Sequence, residues 1–291
     1  MPDRPKPKSP GPNNVGASVR QRLLNLAHAR GQPMELLLTR YALERLLHRL
    51  SLSPHRERFV LKGAMLLAIW FDEPHRATRD VDLLGFGDAT EDALLRAFRE
   101  IMAVELDDGV IFDLQGLRIS AIREEIDYGG SRLRTTAALA GARIPITVDI
   151  GFGDAVEPGV EDIDLPVLLD MPSPHLRAYP PETVIAEKFH AMVVLGRANS
   201  RMKDYYDVWM LTSAFEIEHE RLRRAIMATF ERRNTVIPSV TPDGLSDAFA
   251  NDIGKRRQWD AFARNLSGPA PALGQVVNEL RQRLAGFLAS I

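Results

Sequence analysis

The sequence predicts an α+β protein: a mixed or antiparallel sheet with flanking helices, followed by a lobe of helices alone. Three observations carry this. Residues 110–152 contain short apolar-rich runs, preceded by the turn signal Asp107-Asp108-Gly109 and broken by Tyr128-Gly129-Gly130. Residues 19–50 place apolar side chains at helical spacing. At Pro180 the strand-like pattern stops and only helical periods follow. A chain of 291 residues suits two such lobes, since domains hold ~100–200 residues each.

The elements follow in order. Residues 1–16 hold five prolines and two glycines with few large apolar residues, so residues 1–18 are expected to be a flexible tail. Helices are predicted over 19–29 and 33–50, the second on the stripe Leu36, Leu37, Tyr41, Leu43, Leu47, Leu50. Phe59-Val60-Leu61 reads as a short strand, and Lys62-Gly63 turns it into an apolar helix over 64–71. After a turn at Glu73-Pro74-His75 come a strand over 78–86 and an amphipathic helix over 90–106. Strands are expected over 110–114, 117–125, 131–139 and 144–152. Pro180-Pro181-Glu182 opens a helix that Gly196 closes near Leu195. Further helices are expected over 203–214, 218–232, 242–250, 255–265 and 275–289. The lobes are therefore drawn as 19–178 and 179–291.

Composition narrows the function. With no cysteine, thiolate zinc sites, iron–sulfur clusters, disulfides and cysteine nucleophiles are excluded. The longest strongly apolar stretch, 63–71, is far short of the ~20 residues of a membrane helix. The first residues show no apolar core of a secretory signal, so a cytoplasmic protein with no membrane partner is expected. A formal charge of −2 argues against bulk coating of nucleic acid. Its distribution is uneven: Arg4, Lys6, Lys8, Arg20, Arg22 and Arg30 face only Asp3 in residues 1–30, whereas residues 144–176 hold seven acids and no Lys or Arg. On charge alone the acidic stretch reads as a solvated loop after a strand.

The sharpest local feature is Arg79-Asp80-Val81-Asp82. Alternate strand residues share a face, so Asp80 and Asp82 are expected side by side, where they repel unless they share a cation or proton. Such a pair suits Mg²⁺ held through oxygen ligands, but a DxD tripeptide is common and by itself reads first as two solvated acids on an edge strand. Asp149 sits in a second apolar strand, Thr147-Val148-Asp149-Ile150-Gly151-Phe152, and would complete a three-carboxylate site if that strand lies alongside. Lys188, on the helix after Pro181, is a candidate phosphate contact, and Asp204 and Asp207 share a helix face from which they could orient it. His190 is expected to pack or cap, and no aromatic cluster suggests a base-stacking platform.

These motifs together resemble a known family. Gly63-Ala64, then Arg76-x-Thr78-x-Asp80-x-Asp82, then the strand with Asp149, is similar to the nucleotidyltransferase signature of a glycine turn, DxD and a third acid. Residues 181–188 (PETVIAEK) and Arg201-x-Lys203-Asp204-x-x-Asp207 resemble the AbiEii/AbiGii-type toxins, which include the MenT-type toxins. The resemblance spans about residues 58–213. It implies a nucleotidyltransferase-fold lobe joined to a helical lobe, with the active site between them. It also implies a toxin with a cognate antitoxin encoded nearby, transferring NMP from an NTP to an RNA acceptor, the tRNA 3′ end first. Carried over, Asp80, Asp82 and Asp149 would hold Mg²⁺ or Mn²⁺, and Asp149 would assist deprotonation. Lys188 would contact the triphosphate, Asp204 would be the later essential acid, and Gly63 and Thr78 would lie at the nucleotide's phosphates. Two departures stand out: Ala64 replaces the serine common after the glycine, and the gap from Gly63 to Asp80 is long. The rival readings are transfer to a protein or small-molecule hydroxyl, and a catalytically idle member that only binds a partner.

Overall fold

The structure, a computed structural model, describes residues 14–71, 78–122, 130–266 and 268–288. The turn expected at Glu73-Pro74-His75, Arg76 of the motif, and Tyr128-Gly129 lie outside these residues, as does most of the expected tail.

Helix α1 (Val15–Arg30) starts four residues before its predicted start, because Asn14 accepts the Ala17 N–H and caps it. Helix α2 (Met34–Leu52) packs against the sheet and is buried on nearly all sides, including Glu44, Arg45 and Arg49. Each of these charges has a partner. Arg49 meets Asp108 at 2.6 Å and donates to the Val104 and Val110 carbonyls, and Glu44 accepts from Arg40 and from the Leu168 N–H. Removing one side of such a buried pair costs about 3–5 kcal/mol. Residues 14–58, which the catalytic motifs leave unexplained, are thus part of the packed scaffold.

Strand β1 (Phe59–Lys62) leads through Gly63 into a 3₁₀ turn (Gly63–Leu66) and one α-turn, α3 (Leu67–Trp70), where a continuous helix is predicted. Then come β2 (Val81–Gly85), α4 (Glu91–Met102), β3 (Ile111–Phe112), β4 (Arg118–Ile122), β5 (Gly130–Leu139) and β6 (Ala142–Phe152). The sheet continues into β7 (Glu161–Asp164) and β8 (His175–Ala178). Its order is β3-β5-β6-β2-β1-β8-β7, with β4 also on β5; β2 and β6 run parallel, as do β1 and β8, and the other pairs are antiparallel. The β7–β8 hairpin corrects the expectation of a loop, although the acids on β7 are exposed to solvent as that reading had them. Glu161 is paired with Arg221, Asp162 with Arg56, and Asp164 with His175.

On β6 the side chains of Ile144, Ile146, Val148 and Ile150 are buried, and the residues between them point to the opposite face. After β8 the described elements are helical: α5 (Pro181–Leu195), α6 (Met202–Ala214), α7 (His219–Arg232), α8 (Asp247–Asn251), α9 (Ile253–Ala263) and α10 (Leu273–Leu288). Among the described residues, no helix is long and apolar enough to cross a membrane.

Candidate active site

Sheet register brings the charged residues together. Lys62 pairs with Asp82, Asp82 with Asp149, and Asp149 with Arg132, so one row across β1, β2, β6 and β5 reads Lys, Asp, Asp, Arg on one face. The next row holds Gly151 opposite Gly130, which leaves open floor beside the acids. Helices α5 and α6 supply the facing wall, and the cleft between encloses about 200 Å³. Gly63, Asp80, Asp82, Asp149, Lys188 and Asp204 all line it.

Asp80 does not lie on the strand as expected. Strand β2 begins one residue later, at Val81, and Asp80 occupies the bend before it. Thr78 is bound to that bend: its hydroxyl donates to Asp80 Oδ1 at 2.8 Å, so it orients the carboxylate and is not among the lining residues. Burial, with the charge of Asp80 behind it, pushes the Asp82 carboxyl up to about 6 against the pull of Lys62 and Lys203. Gly63 has φ +74°, and a Cβ there would stand 2.0 Å from Asp82 Oδ2. Only glycine fits both the backbone and the approach of that carboxylate.

Asp149 is turned to Arg132, whose Nε and Nη2 donate to its two oxygens at 2.6 and 2.5 Å. Among the described residues, no three acids or histidines are gathered as a ready metal cluster. The donor set still suits a hard cation: two neighbouring carboxylates, one of them half-buried and disfavoured as an anion, gain from a shared divalent ion.

On the opposite wall Lys188 Nζ lies 2.7 Å from Asp204 Oδ1 and 2.9 Å from Asp207 Oδ2, and Arg201 Nε lies 2.6 Å from Asp204 Oδ2. The i, i+3 pair of α6 therefore holds the lysine of α5 at the cleft. Lys203, exposed at the mouth, makes no hydrogen bond or ion pair with a described residue.

Sequence reasoning missed a second cluster. Lys62 Nζ donates to Asp154 Oδ2 at 2.8 Å and lies 3.4 Å from Glu187; Arg233 meets Asp154 at 3.1 Å and Glu187 at 3.3 Å. Burial opposes the Lys62 charge, but Glu187, Tyr179 and Asp154 outweigh it and hold the ammonium well above its ordinary value. Asp154, despite burial, is drawn down to about 2 by Lys62 and Arg233. A lysine ending an apolar strand just before a glycine turn was the available signal, since such a charge needs a partner. His190 packs as expected: it is buried, edge-on to Phe230 and bonded to Thr235 Oγ1 at 2.9 Å. Burial, then Arg233, lowers it to about 4.

Among solved structures the chain is similar to JHP933 from Helicobacter pylori, at 15% identity over 87% of this chain and 95% of that one, with a TM-score of 0.46. A protein of the same bacterium, provisionally described as a nucleotidyltransferase, is 13% identical over 87% and 98%, with a TM-score of 0.40. An antigenic nucleotidyltransferase-like protein from Paracoccidioides brasiliensis is 12% identical over 95% and 92%, with a TM-score of 0.30. No curated protein matches the chain. The family model described as "Nucleotidyl transferase AbiEii toxin, Type IV TA system" matches residues 45–285, from within α2 to within α10. The chain therefore belongs to the AbiEii nucleotidyltransferase toxin family: it is an enzyme that transfers nucleotides from NTP, and its family comprises toxins that are paired with an antitoxin.

Proposed function

We propose that this enzyme transfers NMP to the 3′ hydroxyl of an RNA acceptor, with tRNA as the first candidate, and that it uses Mg²⁺. The observation that carries the reading is one cleft in which Asp80 and Asp82 face Lys188, itself held by Asp204 and Asp207. The acceptor oxygen bonds to the α-phosphorus, the bond from that phosphorus to the bridging oxygen breaks, and pyrophosphate leaves with the electron pair. Asp80 and Asp82 would hold the metal, which when bound neutralises phosphate charge and aligns the displacement. Lys188, with Lys203 at the mouth, would meet the triphosphate, and Lys62 balances the acids from the β1 side. Asp149 is the third carboxylate and takes the hydroxyl proton. Either role requires Arg132 to release one of its oxygens, and nucleotide phosphates compete for that guanidinium. Thr78 keeps Asp80 oriented.

The test incubates purified protein, Mg²⁺ and total tRNA with each α-labelled NTP in turn, beside Asp80→Ala. Label on tRNA with the wild type, and a loss of at least about 100-fold in the variant, is the expected result. Label that reaches protein or small molecules but no RNA would reject the RNA acceptor.

A further inference from the structure

The sheet face that carries Asp149 and Arg132 continues past the cleft over β4, β5 and the first half of β6. Register assigns its residues. Arg118 lies opposite Arg134 and Arg134 opposite Thr147; Ser120 lies opposite Arg132, and Arg143 opposite Ala138. Paired residues, and residues two apart, share a face, so Arg118, Arg132, Arg134 and Arg143 project on the side of Asp149.

Arg118, Arg134 and Arg143 are exposed. Among the described residues Arg134 and Arg143 have no hydrogen bond or ion pair, and Arg118 donates to the carbonyls of its neighbours Gln115 and Leu117. Among the described residues two acids adjoin this face: Asp149, engaged by Arg132, and Asp113 after β3, which accepts the Gly116 N–H at 2.8 Å. Like charges directly opposite on neighbouring strands destabilise a sheet, and Arg118 and Arg134 are such a pair. A bridging anion would relieve them. From the row of Arg132 to the row of Arg143 the face runs six residues along β5, roughly 20 Å.

This rests on the reading of the acceptor as RNA: we infer that the face is the track on which the acceptor's phosphates lie as its 3′ end enters the cleft. Charge complementarity and continuity with the carboxylate row select that occupant. Ser120, Thr136, Ala138 and Thr147, standing between the arginines, are small enough for a nucleic-acid backbone to approach. A protein-docking face is organised around large apolar or aromatic anchors. Among the described residues the large apolar side chains here are Ile111, at the far end opposite Ala138, and Ile122, at the cleft itself, with none in the stretch of arginines between them.

The experiment compares wild type with a triple variant, Arg118→Gln/Arg134→Gln/Arg143→Gln, using total tRNA, Mg²⁺ and the labelled NTP. The KM for tRNA is expected to rise about tenfold or more, with kcat at saturating tRNA and the KM for NTP within about twofold. The slope of log tRNA affinity against log salt should shrink by about 2, near 0.7 for each phosphate contact removed. The corresponding triple lysine variant should keep most of the affinity, because phosphate accepts a point charge. An unchanged tRNA KM and salt slope in the glutamine variant overturn the inference, as does a lysine variant equally impaired. A glutamine variant that labels tRNA normally but escapes its cognate antitoxin assigns the face to a protein and overturns it too. Wild type that labels no RNA removes the acceptor reading itself, an outcome recognisable without any variant.

Discussion

Asp82 is half-buried beside Asp80, and despite the pull of Lys62 and Lys203 its carboxyl sits at about 6 instead of 3.8. A raised folded value means that the native state binds more protons than the unfolded chain between about pH 4 and 6. Stability from this group therefore falls as pH rises through that window, and the full penalty stands above it. At about 1.4 kcal/mol per unit, the penalty is of order 2–3 kcal/mol. Asp82→Asn should accordingly stabilise the metal-free protein by about 2 kcal/mol at pH 7.5 while abolishing transfer. Urea unfolding in chelator checks it, and an unstabilised variant would count against a burial-strained carboxylate. Both aspartates were visible in the sequence because the DxD spacing is local. That Gly63 closes directly on Asp82 was not visible, since the two meet only when β1 and β2 pair antiparallel.

Among elements, α5 joins the two halves of the site. Its bounds, Pro181 to Leu195, were legible from a proline near the start and a glycine past the end. Along it Glu187 meets Lys62, Lys188 meets α6, and His190 packs against Phe230 of α7. His190 is held at about 4, below its ordinary 6.5, so the unfolded chain binds more protons between those values. Its contribution is present above about pH 6.5 and is lost as pH falls towards 4, up to about 3 kcal/mol. Wild type should thus lose about 2–3 kcal/mol more than His190→Gln between pH 7 and 4 in urea titrations. Parallel losses in the two proteins would place the acid sensitivity elsewhere. The β7–β8 hairpin, by contrast, had no legible pattern. Glu161-Asp162-Ile163-Asp164 holds one apolar residue, and it is a strand because β8 pairs with it and Arg56 and Arg221 meet two of its acids.

Across the molecule, a continuous buried apolar cluster runs from Val19 on α1 to Phe287 on α10. The cluster of Lys62, Asp154, Glu187 and Arg233 adds buried ion pairs between the sheet and α5. Sheet and helices should therefore unfold together, as one calorimetric transition whose van't Hoff and calorimetric enthalpies agree. Two resolved transitions would show that the ion pairs and shared core do not couple the lobes.

The sequence by itself determined most of the elements before β7 and the helices after Pro180, the candidate acids, and the lysine with its i, i+3 carboxylates. Those signals are local: apolar period, turn residues and spacings within one strand or helix. Tertiary structure alone decided that Arg132 grips Asp149, that Lys62 is paired with Asp154 and Glu187, and that four arginines share the open face of β4–β6. Such contacts join residues far apart in the chain. They depend on strand register and helix docking, which the whole core sets and no local period records.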